Sequence, residues 1–267
     1  PCIENNNNVS IVGTHLEKKF IKNLKKNYYH KTLKYYLPRK VKILDYQNLI
    51  HELRNRPDYV VIAVSSKGID WVCKELIKNY DKKLSLILLT KGLVNYNNKM
   101  VTISEKINKL FQKNGIPKQD ITSIKGPCLA WGLINKIRTS TVIANRNIVS
   151  AKKVERVITT KYYKAETSKD IIGIEVLSAI KNLYAMLIGA SLGLSGPNIQ
   201  RNIRNKYYHN TSSSLFRESL LEMKNFTVKM NGLQETTYGL AGLGDLYVSV
   251  AGGRTVSYTH LRAHETV

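Results

Sequence analysis

Two short, uninterrupted apolar runs constrain this chain most: YVVIAV (59–64) and LSLILLT (84–90). The first is a continuous β-branched run, the second is mostly leucine, and both have the pattern of strands buried on both faces of a parallel sheet. Between them Ile69, Val72, Leu76 and Ile77 recur at helical spacing. A strand, a helix and a second strand in this order form a right-handed crossover unit. The same alternation continues outward. A short apolar strand at 9–12 ends at Gly13, and a helical pattern follows over 16–26. A helix over 104–111 stops at Asn114-Gly115, and further short strands are expected at 121–124 and 141–144. The reading is a parallel sheet covered by helices.

The pattern changes near Ser168. A long helix is expected over 172–188 and an amphipathic one over 213–230, with no comparable strand after them. The boundary therefore falls at about 165–172. The basic stretch 198–210 reads as an exposed loop. The tail TVSYTHLRAHETV (255–267) holds no lysine in a chain otherwise full of it, and it reads as foreign sequence outside the fold.

Composition limits the function classes. Hydrophobic residues make up 43% of the 267, enough for a packed core and too much for a disordered chain. Lys and Arg total 42 against 19 Asp and Glu, a formal charge of +23. The lysines are spread along the chain, and Lys, Asn, Ile and Tyr share AT-rich codons. No RRM, KH or zinc-finger pattern is present, so nucleic-acid binding is set aside as the main role. Anionic small ligands suit such a surface. Cys2, Cys73 and Cys128 are too few and too scattered for a disulfide framework or a cysteine zinc site, which points to a reducing cytosol and no metal. The run 171–194 is long enough for a membrane span. Glu175, Lys181 and Asn182 interrupt it, and a charge at the bilayer centre costs at least about 2.5–3.5 kcal/mol, so a span is rejected.

Several residues could carry chemistry. Lys181 lies among apolar neighbours in GIEVLSAIKNLYAMLIGA, where burial favours the neutral amine and suits it to general acid–base work. A lysine on an exposed helical stripe is the equally weighted alternative. Asn182 beside it offers a donor and an acceptor. Lys91 follows a strand directly, at the end where ligands bind in parallel sheets. Gly126-Pro127-Cys128 ends another strand, and Cys128 has no histidine motif to make it a nucleophile. GLAGLGD (239–245) is glycine-rich without being a dinucleotide fingerprint. Its Asp245 could orient a lysine or cap a helix. Gly252-Gly253-Arg254 could clamp a phosphate.

Together these segments resemble the NAD(P)-dependent glycerol-3-phosphate dehydrogenases. The resemblance rests on YVVIAVSS (59–66), LLTKGL (88–93), KGPCLA (125–130), the stretch 167–194, LFRESLLEM (215–223), TYGLAGLGDLYVS (237–249) and GGR (252–254). It covers the chain from about Val9 to Arg254. It implies an α/β N-terminal Rossmann-like domain (1–168) and an all-α C-terminal domain (169–254) of the 6-phosphogluconate-dehydrogenase-like type. It also implies reversible hydride transfer between NAD or NADP and dihydroxyacetone phosphate, giving glycerol 3-phosphate for phospholipid synthesis. By the resemblance Lys181 is the proton donor or acceptor, Lys91 contacts substrate and cofactor, and Asp245 holds Lys181 and the substrate hydroxyl. Gly126, Cys128, Asn182 and Gly253 line the substrate site. Arg254 binds phosphate and contacts cofactor, while His15, Tyr36 and Ala130 lie on the cofactor side. The implied partners are small molecules, not nucleic acid or an integral membrane, and the family is often dimeric.

The chain also departs from the family. The first strand with its GxGxxG is missing, VSIVGTH (9–15) matches the second strand, and Trp131-Gly132 replace polar residues. The expectation is an internal piece of the enzyme, truncated at both ends and inactive by itself. Two alternatives stay open: another two-domain hydroxy acid dehydrogenase, and a basic non-enzymatic binding module.

Overall fold

The computed structural model describes residues 1–79, 84–193 and 208–252. Its main sheet is built from β5 (Tyr59–Ile62), β6 (Ser85–Leu88), β9 (Ile121–Lys125), β10 (Thr139–Ala144) and β11 (Tyr163–Ser168). They lie in the order β11-β10-β9-β6-β5. β5, β6 and β9 run parallel, with Ile62 beside Leu88 and Leu88 beside Ser123. β1 (Ser10–Val12) and β4 (Lys42–Leu44) form a separate parallel pair. In a doubly wound sheet of order 3-2-1-4-5-6 the β4–β1 pair corresponds to strands 3-2, and β5, β6 and β9 correspond to strands 4-5-6.

Three sequence expectations need correction. The sheet is mixed, because β10 runs antiparallel to β9 while pairing in parallel with β11. The apolar run of β5 predicts burial on both faces. It is instead an edge strand with Val61 52% exposed, since among the described residues only β6 pairs with it. The stretch 198–210 is not wholly loop: its last residues, Tyr208 to Asn210, open helix α8 (Tyr208–Lys229). The rest of that stretch, the tail 255–267 and Gly253-Arg254 lie outside the described residues.

Two hairpins add to the expected elements, β2 (Tyr29–His30) with β3 (Tyr35–Tyr36) and β7 (Leu93–Tyr96) with β8 (Lys99–Thr102), the second turning at Asn97-Asn98, both at positive φ. Helix α1 (Lys18–Asn27) buries Ile21 and Leu24 against Val41 and Ile43. The short helix α2 (Leu49–Arg54) places Leu53 in the core beneath the main sheet. On the same face α3 (Ile69–Lys78) and α4 (Ile103–Lys113) bury Ile69, Leu76, Ile107 and Phe111 against Leu86 and Leu88. Thr102 starts α4 by accepting the Glu105 amide. On the other face α6 (Ile148–Ile158) packs Ala151, Val154 and Ile158 against Ile87 and Ile143.

Helix α7 (Ile171–Gly193) joins the two halves. Its first turns place Ile171 and Ile174 in the sheet core, and its later turns place Leu177, Ala185 and Ile188 in a second core with Met223 of α8. It is long and apolar enough to cross a membrane, and here most of it is covered by protein. Buried Asp170 fixes its start: Oδ1 accepts the Gly173 amide at 2.8 Å, and Oδ2 accepts the Leu233 amide at 2.9 Å and the Thr236 hydroxyl at 2.6 Å. The same carboxylate thus anchors the turn that leads to Asp245.

Candidate active site

Lys181 lies on the middle of α7 and is 6% exposed. Asp245 is the first residue of α9 (Asp245–Gly252) and is 2% exposed. The segment before it, Leu240–Gly244, is a π-helical turn. A side chain at Gly242 would bring a Cβ within 2.1 Å of the Thr237 carbonyl oxygen, so only glycine lets the chain pass so close. That turn delivers Asp245 to Lys181: the Lys181 ammonium donates to Asp245 Oδ1. Lys91, just past β6, reaches the other oxygen, Oδ2, at 3.3 Å, with its side chain 42% exposed. One buried carboxylate therefore holds two lysines from two halves of the molecule, and one of them stays open to a ligand.

The electrostatics follow from this arrangement. Burial draws the Lys181 ammonium down to about 8, against the attraction of Asp245 and with the help of Lys91. A lysine in that range can hold or release its proton near neutral pH.

Gly126 ends β9 at φ +134°. A Cβ there would stand 3.3 Å from Thr141 Cα and Val142 N, so the backbone approaches β10 too closely for a larger residue. Cys128 is half-buried against Tyr163, and burial raises its thiol pKa, opposite to what a nucleophile needs. Ala130 opens the short helix α5 (Ala130–Ile134) and is exposed. Asn182 is exposed on α7 and has no part in the Lys181–Asp245 contact. His15, beyond the end of β1, packs its ring 5.2 Å from Trp71 and 6.2 Å from Tyr46. Tyr36 stacks on Tyr29 at 4.8 Å in the β2–β3 hairpin. No hydrogen bond or ring contact among the described residues joins it to the lysines.

Sequence reasoning misses Lys125, the last residue of β9. It is 2% exposed, and its ammonium donates to the Leu88 carbonyl at 3.1 Å. Its only signal is a lysine closing a strand directly before Gly126. Glu175 reads in the sequence as a break in an apolar run, yet it is 1% exposed and accepts the Ser104 amide.

The sequence pattern of the NAD-dependent glycerol-3-phosphate dehydrogenase N-terminus matches residues 2–151, and that of the C-terminus matches residues 170–266. The chain belongs to this family. The NADP(+)-dependent glycerol-3-phosphate dehydrogenase of Archaeoglobus fulgidus is 28% identical over 254 residues, which is 95% of this chain and 72% of the relative. The glycerol-3-phosphate dehydrogenase [NAD(P)+] of Clostridium botulinum (strain Eklund 17B / Type B) is 28% identical over 194 residues, 72% of this chain and 52% of that relative. The chain thus spans about half the length of the clostridial family member. The crystal structure of glycerol-3-phosphate dehydrogenase from Coxiella burnetii superposes with a TM-score of 0.81 at 22% identity. It covers 100% of this chain and 75% of that one, and so shares the fold of an α/β domain followed by a helical one.

Proposed function

We propose that the protein carrying this sequence interconverts dihydroxyacetone phosphate and glycerol 3-phosphate with NAD(P)H or NAD(P)+. The observation that carries this reading is the Lys181–Asp245–Lys91 cluster at the end of the parallel strands. Alcohol oxidation needs a base at the hydroxyl, and carbonyl reduction needs the same group as an acid. Lys181, drawn down to about 8, serves both directions at the C2 oxygen. Asp245 orients its ammonium. Lys91, half open to solvent, presents a positive charge to the phosphorylated substrate.

The residues present suit a dinucleotide. His15 follows β1, Lys91 follows β6 and Gly126 follows β9, all at carboxyl ends of parallel strands, where such cofactors lie. His15, Lys91 and Ala130 would hold it, and when bound it would supply the hydride for reduction and take it up in oxidation. Gly126 and Cys128 are assigned to the substrate wall, and Arg254 with Gly253 to the phosphate. The three cysteines are unpaired, which supports a reducing compartment.

The test is turnover by the full-length protein that contains this sequence. NADH or NADPH consumption with dihydroxyacetone phosphate is expected, with little on a 2-keto acid. Loss of turnover in Lys181→Met is expected too. Absence of turnover with either coenzyme, or a fully active Lys181→Met protein, would sink the reading.

A further inference from the structure

The segments that carry Lys181 and Asp245 are joined a second time, away from the reacting groups. Asp170 stands directly before α7 and is 7% exposed. Its Oδ1 accepts the Gly173 amide at 2.8 Å, on the helix that carries Lys181. Its Oδ2 accepts the Leu233 amide at 2.9 Å and the Thr236 hydroxyl at 2.6 Å, on the turn that leads to Asp245. Each oxygen of one buried carboxylate thus holds one of the two segments. The backbones meet at the same place: a Cβ on Gly232 would stand 2.8 Å from Gly173 Cα, so the turn lies directly on the helix.

Two short paths lead from this join to the reacting pair. Along α7, Lys181 lies about 12 Å past Gly173 at 1.5 Å per residue. Along the other path Thr236 is followed by Thr237, which is fully buried. The Thr237 carbonyl lies against Gly242, inside the π-helical turn that ends at Asp245. The ring closes where the Lys181 ammonium donates to Asp245 Oδ1. A buried carboxylate that accepts three hydrogen bonds from two segments fixes their relative position through several charge-assisted contacts at once.

We infer that Asp170 is a positioning residue: by gripping the first turn of α7 and the turn 232–236 with one carboxylate, it sets the register in which Asp245 meets Lys181. The inference rests on the functional reading of that pair, but its first test needs no substrate. In the full-length protein, Thr236→Val removes one of the two bonds on Oδ2, alters no charge and leaves the Gly173 amide bonded. Amide hydrogen exchange, read by mass spectrometry, is expected to quicken severalfold over 239–249 and to keep its wild-type rate over 171–177. Thr236→Ser retains the hydroxyl and is expected to restore the wild-type rate. Asp170→Asn can satisfy only one of the two sides, since its amide nitrogen donates where an acceptor is needed, and it should quicken exchange over 239–249 more than Thr236→Val does.

Turnover supplies the second test. Thr236→Val is expected to lower kcat by about 10-fold with KM nearly unchanged, the signature of a misplaced catalytic group. The charged groups facing Lys181 are Asp245 from α9 and Lys91 from the loop after β6, and Thr236→Val changes neither. A displaced Asp245 supports the Lys181 ammonium less, so the limb of the pH profile near 8 should move to lower pH through geometry alone. A helix cap serving α7 only would leave both that limb and the exchange over 239–249 where they are. Wild-type exchange over 239–249 in Thr236→Val, or a wild-type kcat with an unmoved limb, would overturn the inference. If Asp170→Asn fails to fold, the two Thr236 variants still decide. A full-length wild-type protein that turns over nothing refutes the functional reading, and the exchange rates still decide this one.

Discussion

Lys181 and Asp245 are 64 residues apart in sequence, are both buried, and share a hydrogen bond. The contact joins the middle of α7 to the first residue of α9, and Lys91 takes the second carboxylate oxygen. The expected chemistry depends on this one carboxylate facing two cations.

Replacing Lys181 with Met keeps the length of the side chain and removes the proton. Turnover in the full-length protein is expected to fall by about 10²–10⁴-fold, the usual contribution of a general acid or base. Steady-state rates at saturating coenzyme check this, alongside a circular dichroism spectrum that should match wild type.

The pH dependence has a definite sign. Below about 8 the Lys181 amine carries its proton, and above it the free amine prevails. Reduction of dihydroxyacetone phosphate should therefore be fastest below that value and fall as pH rises through it. Oxidation of glycerol 3-phosphate should rise over the same interval. Asp245 raises the Lys181 pKa by its negative charge, so Asp245→Asn should move both limbs to lower pH. Rate profiles in both directions, wild type against variant, decide it.

Asp245→Asn also leaves the buried Lys181 ammonium without its counter-charge. Removing one partner of a buried pair costs about 3–5 kcal/mol. Denaturant unfolding should show a lower midpoint with an unchanged slope.

Gly126→Ala forces a side chain onto a backbone at φ +134° and against β10. A strained residue of this kind costs about 1–3 kcal/mol. A lowered melting temperature is expected together with weakened substrate binding, since Gly126 closes the strand beside the site. Wild-type melting would show that the turn relaxes instead.

Cys128 tests the opposite expectation. Its thiol is half-buried and its pKa is raised. The native thiol should react slowly with iodoacetamide at neutral pH, and fast alkylation would show that it is exposed and activated instead.

Much of the fold is legible because buried strands advertise themselves. β6 is a run of apolar residues covered on both faces, and it lies where the pattern places it. The long helix after Ser168 is legible for the same reason. β11 escapes notice because YKAETS alternates polar residues at the rim of the sheet and resembles a linker. The antiparallel turn of β10 escapes because side-chain pattern carries no strand direction. The resemblance singles out Lys181, Asp245 and Lys91, and composition alone leaves each with an ordinary reading beside it.

The alternation of strands and helices, the change of character near Ser168 and the lysines that could be desolvated are all written in the local residue pattern. These are local properties, set by periodicity and by the cost of burying charge. Which carboxylate meets which lysine, the burial of Lys125 and the edge position of β5 emerge on folding. Those outcomes depend on contacts between segments far apart in the chain, such as α7 against α9 and β9 against β6. A one-dimensional pattern records that a residue must be buried or paired, and packing alone supplies its partner.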